Sequence, residues 1–509
     1  MGSSNVGQPA PWSLAMLQDS AKLLRASSAA CPDAWQMAEL KRLPDIAAAH
    51  LAAIFNSIEH GSAWPTAWLE ATVCLIHKSA DFNASPASLR PISVLASCYR
   101  LWSGCRAREL QAWAYGWLSD VNTGLTRDCA CSDSWMTVAT IAEWANYGRT
   151  SHSGFAIDIV KCFDQLPRWL TKHIIRHLPM DARTRGIIDA WYRHGDALTK
   201  RLRLRGSLGP AWTSTCGYPQ GDSMSIFAMT IITEAWRICV TLQCSRDLGS
   251  GGRLMSFADN WEAVATSAPG AFNLLSATVS FIEKAGMSAS YDKCWTWSTS
   301  SRGRKLLRNK AQTILAIRCL QRAKDLGCGF SYTKVRNAHT RKARSDKVQC
   351  TVQRLEKSQF SAARRAKYAS SMIMPALLYA IQATPVSETW IDHWRSAILA
   401  AICPAVGSRR DLNMAWAIAD RPNCDVLYAI PWLCVKEARD HFDKYGHDLP
   451  KLQAVWDAIC SGHTSNGPAS CLHASLSRLG IRCYPGFKVR ADGDEQTWNL
   501  FDVPIAEVR

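Results

Sequence analysis

Two aspartates interrupt apolar runs that would otherwise be plain buried strands. Asp158 sits within SGFAIDIVKCFD (153–164), where Phe155, Ala156, Ile157, Ile159 and Val160 are apolar and rich in β-branched residues. Asp259 sits within LMSFADNWEAV (254–264). A carboxylate in such a strand is costly unless it is paired or bound to a metal. An Arg or Lys partner would make either aspartate structural. The same defect in two strands favours a shared cation, because an antiparallel sheet can set two distant carboxylates side by side.

The surrounding segments read as elements that would position this pair. Gly217-Tyr218-Pro219-Gln220-Gly221 is a tight turn: Gly supplies unusual φ/ψ and Pro fixes φ. Asp222 or Ser223 then caps an apolar helix, Met224–Val240. Ala71–Ile76 is a strand delivering Lys78, and Arg90-Pro91-Ile92 opens a further apolar segment. By themselves these two cations are ordinary surface charges. Leu198–Leu208 alternates Leu202 and Leu204 with Lys200, Arg201, Arg203 and Arg205, the pattern of a strand with one basic face. Phe163–His177 and Ala271–Gly286 are amphipathic helices, and Tyr291-Asp292-Lys293 leads into a strand at Cys294–Trp297. A helical pattern also begins at Asp33, which can cap it.

Strand-Asp, then Pro-Gln-Gly, then Phe-Ala-Asp, in this order, resembles the palm of a reverse transcriptase. The likeness is to enzymes of non-LTR (LINE-type) retrotransposons and the related group II intron enzymes, and runs from about Asp33 to about Cys403. It implies an α+β right-hand polymerase: fingers over 33–150, an RRM-like palm with an antiparallel sheet over 151–300, and a basic connection with a helical thumb over 301–405. Residues 1–32 would be a mobile lead-in, and 406–509 a mainly helical region of unknown role.

The resemblance also implies site roles. Asp158 and Asp259 would bind metal, with the Ile159 carbonyl as a backbone ligand and Phe163-Asp164 completing the "D…FD" pattern. Lys78 and Arg90 would contact the nucleotide phosphates, a bidentate fork and a point charge respectively for Arg and Lys. Phe163 would lie beneath the sugar and disfavour a 2′-OH. Gln220 would be a polar contact to the nucleotide, with Pro219 and Gly221 beside the template base. Lys293 would hand a proton to the leaving pyrophosphate. Gly327, in Leu326-Gly327, matches the "LG" primer grip, and Ile373–Ile381 resembles a thumb segment of LINE-type proteins. Departures stand out: Asn260 replaces the family's second carboxylate, Ile226 a usual Pro, and Asn122 and Leu125 a Gln and a Phe.

Bulk properties agree with a polyanionic partner. Net charge is +17, and 302–367 carries 19 Lys and Arg against Asp325, Asp346 and Glu356. That segment is either a solvated helical face or, next to a palm, a track for phosphates through residues such as Arg341, Lys342 and Arg344. With 48% hydrophobic residues and mean hydropathy −0.12 the chain is globular. Its 20 cysteines form no CxxC pair and read as reduced residues of an intracellular protein. Cys460, His463, Cys471 and His473 fit no common zinc spacing. No apolar run approaches the ~20 residues a bilayer needs, and no signal peptide is evident. The expectation is a soluble protein of the nucleus or cytoplasm with no membrane partner.

The expected function is an RNA-directed DNA polymerase of retrotransposon origin. It would use two Mg²⁺ ions ~3.5–4 Å apart (Mn²⁺ as substitute) to join dNTPs to the 3′-OH of a DNA primer on an RNA template. A catalytically decayed nucleic-acid-binding copy is the alternative that Asn260 supports. An RNA-directed RNA polymerase is a third, which Phe163 and the fingers pattern oppose. No endonuclease or RNase H signature is present.

Overall fold

A five-stranded sheet in the order β6-β7-β3-β8-β9 carries both aspartates. The computed structural model describes residues 9–28, 32–77, 89–124, 129–204, 206–249, 251–334, 339–403, 416–417, 419 and 421–502. Lys78, Leu125 and Arg205 lie outside them. The central strand β3 (Ser153–Asp158) is buried on both faces, as its nearly unbroken apolar run demands. It pairs antiparallel with β7 (Asn260–Ala265) and β8 (Trp295–Ser298). β7 pairs in turn with β6 (Arg253–Phe257), and β8 runs parallel to β9 (Arg318–Leu320). Gly154 has to be a glycine: a Cβ there would stand 2.3 Å from the Ala263 carbonyl oxygen and 2.8 Å from the Trp297 ring.

Strand alternation divides the core in two. Phe155, Ile157, Trp261 and Ala263 pack against the Ser223–Gln243 and Ala268–Lys284 helices. There Trp236 stacks on Trp261 at 4.7 Å and donates its indole N–H to Thr278 at 3.0 Å. On the other face, Met255, Val264 and Trp297 join a second core with the Cys131–Tyr147 helix and Tyr332, whose ring stacks on Trp297 at 4.5 Å.

A second sheet, β2-β1-β4-β5, flanks the first. β1 (Glu70–His77) and β2 (Leu89–Leu95) form an antiparallel pair. β4 (Thr199–Leu204) runs parallel to β1 and pairs with the exposed edge strand β5 (Ser207–Thr213).

Several elements differ from the sequence expectation. Trp12 and Leu17 are buried, and Glu59 accepts hydrogen bonds from the Trp12 indole at 3.0 Å, the Trp102 indole at 2.7 Å and Arg106 at 2.7 Å. Residues 9–28 are therefore part of the core rather than a mobile lead-in. Asp33 does not start a helix of its own. Its carboxylate accepts the Ser97 N–H at 2.7 Å, capping the Ser97–Ala114 helix from afar. The expected Phe163–His177 helix is broken, because Pro167 forces Leu166 to an extended ψ of 121°; short helices occupy Cys162–Gln165 and Arg168–His177.

The Ser223–Gln243 helix is long and apolar enough to cross a membrane, contrary to expectation. Its composition follows from its place, since Met224, Phe227, Ile231, Ile232 and Trp236 are buried within the first core.

The segment after β11 contains the His339–Glu356 and Glu388–Ile402 helices. The Val426–Lys444, Leu449–Cys460 and Pro468–Ser477 helices complete the same hydrophobic core. A small antiparallel sheet follows, β12 (Arg482–Tyr484), β13 (Lys488–Arg490) and β14 (Trp498–Asn499), which the helical expectation for 406–509 did not include.

Candidate active site

Asp158 ends β3 directly opposite Asn260, and Asp259 lies in the Ala258-Asp259 turn between β6 and β7. Ala258 takes a left-handed φ of 53° to make that turn. The Ile159 N–H donates to the Asp259 carbonyl at 3.1 Å, carrying the β3–β7 pairing one residue past the strand. On its other side the Asp158 carbonyl accepts the Ser290 N–H at 2.7 Å. Both aspartates are thus fixed by backbone bonds at one end of the sheet.

Each aspartate lies within electrostatic reach of the other. Enclosure by the surrounding protein pushes the Asp259 carboxyl above the usual range. The charge of Asp158 pushes it further, while Lys293 and Arg90 oppose the shift. The buried Cys162 thiol beneath them is held well above its ordinary value by desolvation and then by Asp259, Asp158 and Asp164. Lys293 lies 3.2 Å from Asp158, in a pair whose side chains are 59% and 29% exposed. Such a pair contributes about 1 kcal/mol or less and leaves the site open. Asp259 forms no ion pair among the described residues. Two hard oxygen donors, one of them paired with an exposed lysine, suit a divalent cation such as Mg²⁺, which completes its shell with water and phosphate oxygens. Asp158 and Asp259 are the side chains able to hold it. Among the described residues no cluster of three or more His, Cys, Asp or Glu suited to a metal exists; this includes Cys460, His463, Cys471 and His473.

Asn260 has a different occupation. Its buried side-chain amide donates to Glu262 at 2.5 Å and to Asp325 at 2.9 Å. Sequence reasoning passed over both acids. The only signals were a Glu within the apolar strand of Trp261–Ala265 and an Asp just ahead of Leu326-Gly327.

The Gly217–Gly221 turn packs against three elements at once. The Tyr218 N–H donates to the Phe163 carbonyl at 2.7 Å, and Gly217 to that of Leu166 at 3.1 Å. The Ser93 N–H donates to the Gln220 carbonyl at 2.7 Å, joining the turn to β2. The Ser225 hydroxyl donates to the Pro219 carbonyl at 2.9 Å. Gly217 and Gly221 have φ of 70° and 115°, and a Cβ on Gly221 would lie 2.8 Å from the Ser93 carbonyl oxygen. Asp222 caps the following helix through the Met224 N–H at 3.2 Å and accepts the Tyr99 hydroxyl at 2.9 Å. Burial raises its carboxyl to about 6. His194, stacked on Tyr99 at 3.6 Å, is lowered by burial to about 3 and is neutral.

Arg90 is exposed on β2, and its charge opposes the rise of the Asp259 carboxyl. Phe163 is partly buried against the first core, between Asp158 and the Gly217–Gly221 turn.

Leu326 and Gly327, with φ of 44° and 82°, form the turn between β10 (Arg322–Asp325) and β11 (Cys328–Ser331). Arg344 donates to the Gly327 carbonyl at 2.7 Å and the Tyr379 carbonyl at 2.5 Å, and the Tyr379 hydroxyl donates to Leu326 at 2.7 Å. Arg341 donates to the Thr384 and Pro385 carbonyls at 3.1 and 3.2 Å. These two guanidinium groups are therefore used inside the protein. Lys342, Lys347, Arg354, Lys357, Arg364 and Lys367 are exposed along the same segment.

No family model matches the chain. A stretch of 73 residues, 14% of the chain, is 41% identical to the probable RNA-directed DNA polymerase from transposon BS of Drosophila melanogaster, and the match spans 8% of that protein. The solved structure of apo telomerase from Candida tropicalis, truncated from its C-terminal domain, aligns over 55% of this chain and 59% of that one. Its TM-score is 0.37 at 11% identity. The chain is mixed α+β, and its likeness to the transposon polymerase is confined to those 73 residues.

Proposed function

We propose that this protein is a reverse transcriptase of non-LTR retrotransposon type, an RNA-directed DNA polymerase that extends a DNA primer on an RNA template. The observation that carries the proposal is the meeting of Asp158 and Asp259, about a hundred residues apart in sequence, through the Ile159–Asp259 hydrogen bond. The short transposon match supports the same reading.

Asp158 and Asp259 would hold Mg²⁺, which would supply charge to activate the primer 3′-OH and to neutralise the triphosphate. Arg90, exposed on β2, clamps the phosphates of the incoming dNTP, joined by Lys78 from outside the described residues. Phe163 forms the floor under the sugar, and the Pro219-Gln220-Gly221 turn supports the nascent base pair. Lys293 stands beside Asp158 with its ammonium accessible, placed to give a proton to the leaving pyrophosphate. The Leu326-Gly327 turn supports the primer, and the exposed cations from Lys342 to Lys367 grip the duplex through its phosphates. Arg341 and Arg344 shape that surface from within.

The test is primer extension on poly(rA)/oligo(dT) with Mg²⁺, comparing wild type with Asp158→Asn and Asp259→Asn. Extension by wild type alone supports the proposal. Template–primer binding without extension by any variant would make the chain a decayed nucleic-acid-binding copy. A preference for ribonucleotides would make it an RNA polymerase.

A further inference from the structure

We propose that Asn260 is a positioning residue whose side-chain amide ties the turn bearing Asp259 to the Leu326-Gly327 turn, so that this reaction centre requires an amide, not a carboxylate, at position 260. The inference rests on the function proposed above and concerns how that site is held.

The geometry is a continuous run of bonded groups. Asn260 directly follows Asp259, and its Nδ2 has two hydrogens with an acceptor for each, Glu262 Oε1 at 2.5 Å and Asp325 Oδ1 at 2.9 Å. Asp325 ends β10 and directly precedes Leu326-Gly327. From the far side that turn is held by Tyr379 on the Leu326 carbonyl and Arg344 on the Gly327 carbonyl, both at 2.7 Å. A Cβ on Gly327 would come within 3.1 Å of the Tyr379 ring, so the turn has little room to shift. The amide of Asn260 is thus the link between the catalytic hairpin and the turn placed to support a primer.

The chemistry of the pocket selects the amide. Glu262 and Asp325 are each 3% exposed, both accept from Asn260, and lie within electrostatic reach of one another. Burial raises both carboxyls, and for Glu262 the charge of Asp325 adds to it. No Lys or Arg pairs with either among the described residues. Two acids buried together disfavour two charges, and their acceptor oxygens need a donor. Asn260 supplies it. An aspartate there would present acceptors to acceptors and leave a buried group unsatisfied.

The experiment compares full-length wild type with Asn260→Asp, Asn260→Ala and the exchange variant Asn260→Asp/Asp325→Asn, which puts the amide on the opposite side of the same bond. Three readouts are taken: Tm, amide hydrogen exchange, and kcat with KM in primer extension. Asn260→Asp is expected to lower Tm by several degrees and to lower kcat on the order of tenfold or more, as misplacement of reacting groups does. The exchange variant is expected to recover both. Asn260→Ala, which removes the donor without adding charge, is expected to speed exchange at 258–259 and 326–327 together and to lower kcat with little change in KM. Should Asn260→Asp match or exceed wild type in extension and Tm, position 260 is a metal position and the inference is overturned. Should Asn260→Ala speed exchange only at 258–259, no coupling exists and it is likewise overturned. Coupled exchange in a chain whose wild type fails to extend would uphold the link and defeat the proposed function instead.

Discussion

The Ile159 N–H and the Asp259 carbonyl are 3.1 Å apart, and this one backbone bond makes the two aspartates neighbours. It belongs to no regular strand, since β3 ends at Asp158 and β7 begins at Asn260. Both aspartates therefore stand at strand ends, where a side chain can meet a ligand without interrupting the ladder.

Lys293 offers a direct test of the proton-donor role. Its pair with Asp158 is substantially exposed, so Lys293→Ala should change stability by about 1 kcal/mol or less. The same change should lower kcat about a hundredfold, within the usual reach of a general acid. Thermal melts beside single-turnover extension check both. A parallel loss of stability and rate would remove Lys293 from the chemistry.

Gly221→Ala should raise KM for the dNTP and lower stability. Its φ of 115° disfavours any side chain, and the added methyl would meet the Ser93 carbonyl oxygen at 2.8 Å. Strain of this kind costs roughly 1–3 kcal/mol. Because that carbonyl belongs to β2, the methyl would press the Gln220-bearing turn away from the strand that carries Arg90. Steady-state kinetics at varied dNTP is the measurement.

Lys342 and Arg344, two residues apart, should behave in opposite ways. Lys342→Ala removes an exposed cation, so Tm should hold while the slope of log Kd against log salt for an RNA–DNA duplex falls by about one. Arg344→Ala releases the Gly327 and Tyr379 carbonyls, so Tm should fall with the salt slope nearly unchanged. Binding titrations at several salt concentrations, with melts, distinguish them.

Glu143 predicts how stability depends on pH. Its buried carboxylate accepts the Ala469 and Ser470 N–H groups at 2.8 and 3.1 Å, and burial raises it from 4.5 to about 7. A folded-state value above the unfolded one means that the folded protein holds the extra proton between about 4.5 and 7. Stability from this group is therefore present at low pH and is lost as pH rises through that window, with no further loss above it. The span corresponds to about 3 kcal/mol. Glu143→Gln should flatten the dependence of Tm on pH between 5 and 8.

The parts legible in the sequence were those set by local pattern. Buried apolar runs marked β3 and β6, and Gly and Pro marked the Gly217–Gly221 turn. Asp222 stands at the start of its helix, where a cap belongs. What escaped depends on partners distant in the chain. Asp33 looked like the cap of the next helix but serves Ser97. Arg341 and Arg344 looked like phosphate ligands because composition reveals charge, not the direction in which a guanidinium points. Glu262 and Asp325 were invisible as a pair, since nothing in either local stretch shows that an acid will be buried against another acid. Asn260 looked like a lost metal ligand for the same reason.

The C-terminal helices bear on where this protein can be divided. Asp133 of the Cys131–Tyr147 helix pairs with Lys444 at 3.2 Å, Arg253 of β6 pairs with Asp448 at 2.5 Å, and Glu143 grips the start of the Pro468–Ser477 helix. Two of the anchors lie on the Cys131–Tyr147 helix, which packs against β6, and the third on β6 itself, a strand of the hairpin carrying Asp259. Deletion after residue 403 would remove all three anchors while sparing Asp158 and Asp259. The smallest stable fragment is thus expected to need the tail, and a fragment ending at residue 403 should precipitate rather than stay folded.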